Sequence, residues 1–98
     1  MAKYQFSKLA ERDLEDIADY TVMNFGVFKT REYKALLIQS AKTAANFPSI
    51  GRPYTTEHGR IFQRFNVGRH VLFYQPTEQG IFIVRVLHLM MDFDQYLD

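Results

Sequence analysis

The run from Arg60 to His88, RIFQRFNVGRHVLFYQPTEQGIFIVRVLH, constrains this chain more than any other segment. It is rich in Val, Ile, Phe and Tyr and is interrupted by two turn glycines, Gly68 in Val67-Gly68-Arg69 and Gly80 after Glu78-Gln79. Apolar, β-branched and aromatic runs separated by such short turns form consecutive antiparallel strands. Three strands are therefore predicted, near 60–66, 69–75 and 81–88. In the last, Ile81, Ile83, Arg85 and Leu87 should share one face and Phe82, Val84, Val86 and His88 the other, because side chains alternate along a strand. Both sets are largely apolar, which places this strand centrally with both faces covered. Helices can cover one face; the tail, a loop or a partner chain must cover part of the other.

Upstream, Lys3 to Phe6 alternates with Tyr4 and Phe6 on one side and is predicted as a short first strand. Ser7 is placed to cap a helix, its hydroxyl accepting from the free amides of the first turn. From Lys8 to Phe25 the positions Leu14, Ile17, Ala18, Thr21 and Phe25 recur at helical spacing, with Glu11, Arg12, Glu15, Asp16 and Asp19 on the other face. Gly26 ends this helix. A second runs from about Phe28 to Phe47, with Tyr33, Leu36, Leu37, Ser40, Ala41, Ala44 and Phe47 along one stripe, and Pro48 stops it. The close restart after Gly26 makes the pair an antiparallel hairpin. PSIGRPYTTEHG at 48–59 is expected to be an irregular loop. The tail MMDFDQYLD is expected to be a short helical turn or a loosely docked end. The order β-α-α-β-β-β over 1–98 gives one α+β domain, with a helical hairpin packed on one face of a mainly antiparallel sheet.

Ninety-eight residues suffice for one core. The chain has no cysteine, which excludes disulfides, thiol chemistry and cysteine-ligated metals and fits a reducing compartment. No apolar stretch approaches the roughly 18 residues of a membrane span, and Met1-Ala2-Lys3 leads straight into the first strand, so a cytoplasmic protein without membrane contact is expected. The net charge of +1 conceals a partition: zero over 1–40, +4 over 41–89 and −3 over 90–98. The excess is mostly arginine, whose planar fork binds phosphate or carboxylate in bidentate fashion. An anionic partner is implied, nucleic acid or an acidic protein surface alike. Arg85, mid-strand among apolar residues, requires a carboxylate or several carbonyls, and Asp92 is the expected partner. The histidines at 58, 70 and 88 show no close pairing or carboxylate pattern, so neither a metal nor a cofactor is expected.

FPSIGRPY at 47–54, GRIFQRF at 59–65, GRHVLFY at 68–74 and IVRVLH at 83–88, together with Asp13-Leu14-x-x-Ile17 and Phe25-Gly26, resemble the ParE branch of the RelE/ParE toxin superfamily. The resemblance covers nearly the whole chain. It implies the toxin of a bacterial type II toxin–antitoxin module, one that poisons DNA gyrase by trapping its cleaved-DNA complex. It also implies neutralisation by a ParD-like antitoxin, a ribbon-helix-helix protein whose C-terminal segment wraps the toxin. DNA would then enter only through gyrase or the antitoxin. Target contacts are expected at Arg52, Arg64, Arg69, Arg85, His88, Met90 and Met91, and antitoxin contacts at Leu14, Ile17, Tyr33, Leu37 and Phe73. Many relatives carry an arginine directly before the Asp that follows the last strand, where this chain has Met90-Met91-Asp92.

Two alternatives stay open at this stage: a ribosome-dependent mRNA endonuclease and a non-toxic antitoxin-binding homologue. Cleaving RNA requires a base, an acid and cations near the developing phosphorane. His58, His70, His88, Glu57 and Tyr96 are the proton-transfer candidates, with Arg64, Arg69 and Arg85 for charge. The lysines, however, all lie in the first half of the chain, mostly on helices. A non-catalytic toxin is therefore the favoured reading.

Overall fold

The computed structural model describes residues 2–98, in the order β1 (Lys3–Phe6), α1 (Lys8–Asn46), a 3-10 turn (Pro48–Ile50), β2 (Arg52–Thr55), β3 (Ile61–Val67), β4 (His70–Pro76), β5 (Gly80–His88) and α2 (Phe93–Leu97). Ser7 caps α1 as expected, its Oγ accepting from Ala10 N at 3.0 Å. Gly26 divides α1 into two arms, 8–25 and 27–46. Its φ of 86° and ψ of 173° are non-helical, and an L side chain at that positive φ is strained. Ala10 of the first arm packs in one cluster with Leu37, Ala41, Ala44 and Ala45 of the second, so the arms form the predicted hairpin. The buried alanines let the helices approach the sheet closely.

The five strands lie in the order β1-β5-β4-β3-β2, with β1 parallel to β5 and all other pairs antiparallel. The α+β class and the hairpin-on-sheet architecture agree with the sequence reading. One element differs. The segment read as an irregular loop contains β2, which pairs Arg52–Thr55 with Ile61–Arg64 of β3. Pro53 is tolerated because β2 is an edge strand, where a missing N–H can face solvent. The element order, with the two arms of α1 counted separately, is therefore β-α-α-β-β-β-β-α.

The predicted parity of the last strand also changes part-way along. A bulge lies where Phe73 and Tyr74 of β4 oppose Arg85 and Ile83 of β5, leaving Val84 as the extra residue. Ile81, Ile83 and Val86 pack toward the hairpin, whereas Val84 and Leu87 join the opposite cluster of Phe62, Val71, Phe73 and Leu97. That second cluster is covered by the tail: Leu97 is 4% exposed, and Phe93 packs beside Tyr54 and Phe73. Of the three possible covers for this face, the tail is the one in place.

Polar contacts fasten α2. Tyr54 donates to Asp94 Oδ1 at 2.5 Å, and the Glu57 amide donates to Asp94 Oδ2 at 2.8 Å. The carboxylate bond pushes the Tyr54 phenol up to about 12. At the far end, Arg60 donates to the Leu97 carbonyl at 2.9 Å and Asp98 accepts from His58.

β1 accompanies β5 only as far as Ile83, so beyond it the edge of β5 needs other partners. The chain just after β1 supplies them. Ser7 N donates to Ile83 O at 2.9 Å, Ser7 Oγ donates to Val84 O at 2.6 Å, and Val86 N donates to Asp13 Oδ2 at 2.9 Å. Asp13 also receives Arg85 Nε and Nη2, each at 2.8 Å. The partner of Arg85 is thus Asp13 rather than Asp92. Helix α1 presents that carboxylate at the bulge, whereas Asp92 precedes α2. Arg85 still reaches the tail, donating to Tyr96 O at 3.2 Å with its guanidinium 5.5 Å from the Tyr96 ring.

Candidate functional site

Between the two arms of α1 and the β3–β4 end of the sheet lies a groove of about 930 Å³. The first arm contributes Asp13, Asp16, Ile17, Tyr20, Thr21 and Phe25, and the second Lys29, Glu32, Tyr33 and Leu36. Each arm therefore shows an i, i+3, i+4, i+7 stripe, 13/16/17/20 and 29/32/33/36, which is the spacing of one helix face. Its walls are apolar yet open: Tyr20 is 64%, Phe25 61% and Leu36 45% exposed. Gly68, Arg69, His70, Val86, His88 and Met91 close the sheet end.

The polar floor is ordered by Tyr33. Its hydroxyl lies 2.6 Å from His70 Nδ1, accepts from Arg69 N at 3.1 Å, and stands 3.3 Å from Val67 O. With the His70 proton on Nε2 the phenol donates to Nδ1; with it on Nδ1 the ring donates to the phenol, which then donates to Val67 O. Gly68 lets Tyr33 approach, since a β-carbon there would fall 2.8 Å from the phenol oxygen. Burial raises the Tyr33 phenol above its usual value. His70 and His88 are directly paired across β4 and β5, with rings 5.2 Å apart edge to face. Close histidine pairing therefore exists, produced by strand register and invisible in linear spacing.

Burial, reinforced by the neighbouring His88 charge, lowers the His70 imidazole to about 4, so the ring is neutral at physiological pH. A base whose folded pKa lies below its unfolded value of about 6.5 is protonated preferentially in the unfolded chain. Its contribution to stability is present above pH 6.5 and is lost as pH falls toward 4. Urea melts of the wild type and His70→Gln should converge across that interval, with the wild type losing more stability. A constant difference from pH 7 to 4 would mean that His70 does not carry this dependence.

The expected site residues do not form one surface. Arg69, His88 and Met91 line the groove mouth, and Met90 stands exposed in the turn beyond β5. Arg52 and Arg64 oppose each other on the far face of the sheet, Arg64 lying over Tyr54 and Phe93. Arg85 is engaged by Asp13, its side chain 14% exposed. Of the residues assigned to antitoxin contact, Ile17 and Tyr33 line the groove and Leu14 packs half-buried against the hairpin-side core. Leu37 and Phe73 are 2% and 0% exposed, so neither offers surface to a partner in this form; Phe73 lies under α2. Asp16, Tyr20, Thr21, Glu32 and Leu36 line the groove without having been singled out as contact residues, although the stripe spacing on both arms could have located them.

Residues 4–93 match the family model described as ParE toxin of type II toxin-antitoxin system, parDE. The chain belongs to the ParE toxin family. It is 37% identical over 97 residues to Toxin ParE1 of Mycobacterium tuberculosis (strain CDC 1551 / Oshkosh), covering 98% of both chains. It is 33% identical over 93 residues to Toxin ParE1 of Caulobacter vibrioides, covering 94% of each. A solved structure described as a chromosomal ParDE TA system from P. aeruginosa superposes with a TM-score of 0.71 at 15% identity. That match covers 90% of this chain and 96% of the other, and it shows the shared fold. The groove is thus a feature of a ParE-type toxin, and no helix among its described residues is long and apolar enough to cross a membrane.

Proposed function

We propose that this ParE-type toxin acts by binding: it holds DNA gyrase in its cleaved-DNA state. We further infer that it is silenced when the C-terminal segment of a ParD-like, ribbon-helix-helix antitoxin folds into the groove. The observation that carries this reading is the groove itself. It is an open apolar channel between two helix arms, with Asp16, Glu32, Lys29 and Arg69 among its lining residues. Such a channel suits an amphipathic segment that orders on binding. A gyrase poison needs no chemistry of its own. It must favour one state of the enzyme–DNA complex over the next, and differential affinity is sufficient for that.

Binding is favoured over RNA cleavage by the dispersal of the proton-transfer candidates. His58 lies in the β2–β3 connection beside Asp98, whereas His70 and His88 pair at the opposite end of the sheet. The His88 Nδ1 already accepts from Met90 N at 3.0 Å, and Arg85 is taken by Asp13.

The test is purified toxin with gyrase and supercoiled plasmid, stopped with detergent and protease. Linear DNA should accumulate and should disappear when the cognate antitoxin is added. Fully supercoiled or relaxed product without linear DNA would reject the gyrase target and direct attention to mRNA cleavage on translating ribosomes.

A further inference from the structure

The sheet face opposite the hairpin holds a pair of arginines that neither lines the groove nor is ion-paired by the tail. Arg52 of β2 stands directly across from Arg64 of β3, so two guanidinium-bearing side chains leave one face from adjacent strands. Like charges in that position are destabilising. Among the described residues no carboxylate forms an ion pair with either, although Arg85 on the same sheet has one in Asp13.

Arg64 is nevertheless held in place. Its guanidinium carbon lies 5.3 Å from the Phe93 ring and 6.0 Å from the Tyr54 ring, and Nη2 donates to Asn66 Oδ1 at 3.1 Å. These contacts orient a cation without neutralising it. Arg52, on the edge strand, is exposed. A fixed arginine facing a free one describes half of an anion site.

We infer that Arg52 and Arg64 clamp a phosphodiester of a nucleic-acid backbone, a direct contact that binding through gyrase or an antitoxin alone would not require. A carboxylate offers two coplanar oxygens, which one guanidinium fork satisfies. A tetrahedral phosphate presents oxygens in several directions, so two forks from adjacent strands engage the same group and their mutual repulsion is relieved. Aromatic rings beside a cation, here Tyr54 and Phe93 beside Arg64, are a further feature of surfaces that hold nucleic-acid strands. The inference is independent of gyrase as the target and is read by binding alone.

The experiment is a titration of the ¹⁵N-labelled full chain with a 12-base-pair duplex at low salt, following the arginine Nε–Hε resonances. Those of Arg52 and Arg64 should move together and saturate, with affinity falling as salt rises. In the folded double variant Arg52→Gln/Arg64→Gln the slope of log K against log salt should shrink by about 0.9, the share of the one phosphate that the pair holds. The wild-type titration stands without any variant, so a folding defect would not obscure the result. Unmoved Arg52 and Arg64 resonances would overturn the inference. So would a heptaglutamate peptide moving them at lower concentration than the duplex at equal ionic strength, since the pair would then serve an acidic protein surface.

Discussion

Asp13→Ala should destabilise the toxin by about 3–5 kcal/mol, the usual consequence of removing one partner from a buried ion pair. Both side chains are largely sequestered, Asp13 at 11% and Arg85 at 14% exposure. The carboxylate serves three donors at once: Arg85 Nε, Arg85 Nη2 and the Val86 amide. Its loss leaves a guanidinium without a counter-ion and opens the β5 edge just past the point where β1 stops pairing. For a domain of this size such a loss lowers Tm by roughly 12 °C or more. Because Arg85 also donates to the Tyr96 carbonyl, α2 should loosen with it. Asp13→Asn, which keeps an acceptor for Val86, should fall between wild type and Asp13→Ala. Urea or thermal melts decide the matter, and a change below about 1 kcal/mol for Asp13→Ala would mean that the pair is not structural. Replacing both Asp13 and Arg85 with apolar residues of similar volume should cost less than Asp13→Ala alone, since neither charge is then stranded.

The second large effect concerns the groove. Tyr20 and Leu36 project from opposite arms and are 64% and 45% exposed, so the free toxin should tolerate charge at either. An antitoxin segment seated between the arms would bury both. Tyr20→Glu/Leu36→Glu removes apolar contact and places carboxylates in the closed interface, at a cost of about 2–4 kcal/mol in binding. Affinity for the cognate antitoxin, measured by calorimetry, should fall roughly 30- to 1,000-fold, while the melting temperature of the free toxin changes little. Unchanged affinity in a folded variant would place the antitoxin elsewhere.

Much of the architecture was legible because it depends on local chemistry. Ser7 caps a helix, Gly26 breaks one, Gly68 and Gly80 turn the strands, and the alternation of apolar residues marks β1, β3, β4 and β5. What escaped the sequence depends on pairing. β2 is four residues long and contains Pro53, so it resembles loop until β3 lies alongside it. The bulge at Val84 arises from register between β4 and β5, and it moves Val86 onto the hairpin face. Asp13 and Arg85 lie 72 positions apart, and the nearer Asp92 was the natural guess. The candidate site divided for the same reason. Basic residues close in sequence leave the sheet on opposite faces, Arg64 toward Phe93 and Arg69 toward the groove. Leu37 and Phe73 lie on predicted apolar faces, but those faces are covered by the fold itself.

In the proposed function, the antitoxin controls the toxin through the groove between its helix arms. The most direct measurement is amide hydrogen exchange on the toxin with and without the C-terminal segment of its cognate antitoxin. Slowed exchange should concentrate along the arms that carry the 13/16/17/20 and 29/32/33/36 stripes and at the 68–70 turn. Protection confined to β2, β3 and α2, around Tyr54 and Phe93, with the arms unchanged, would contradict it.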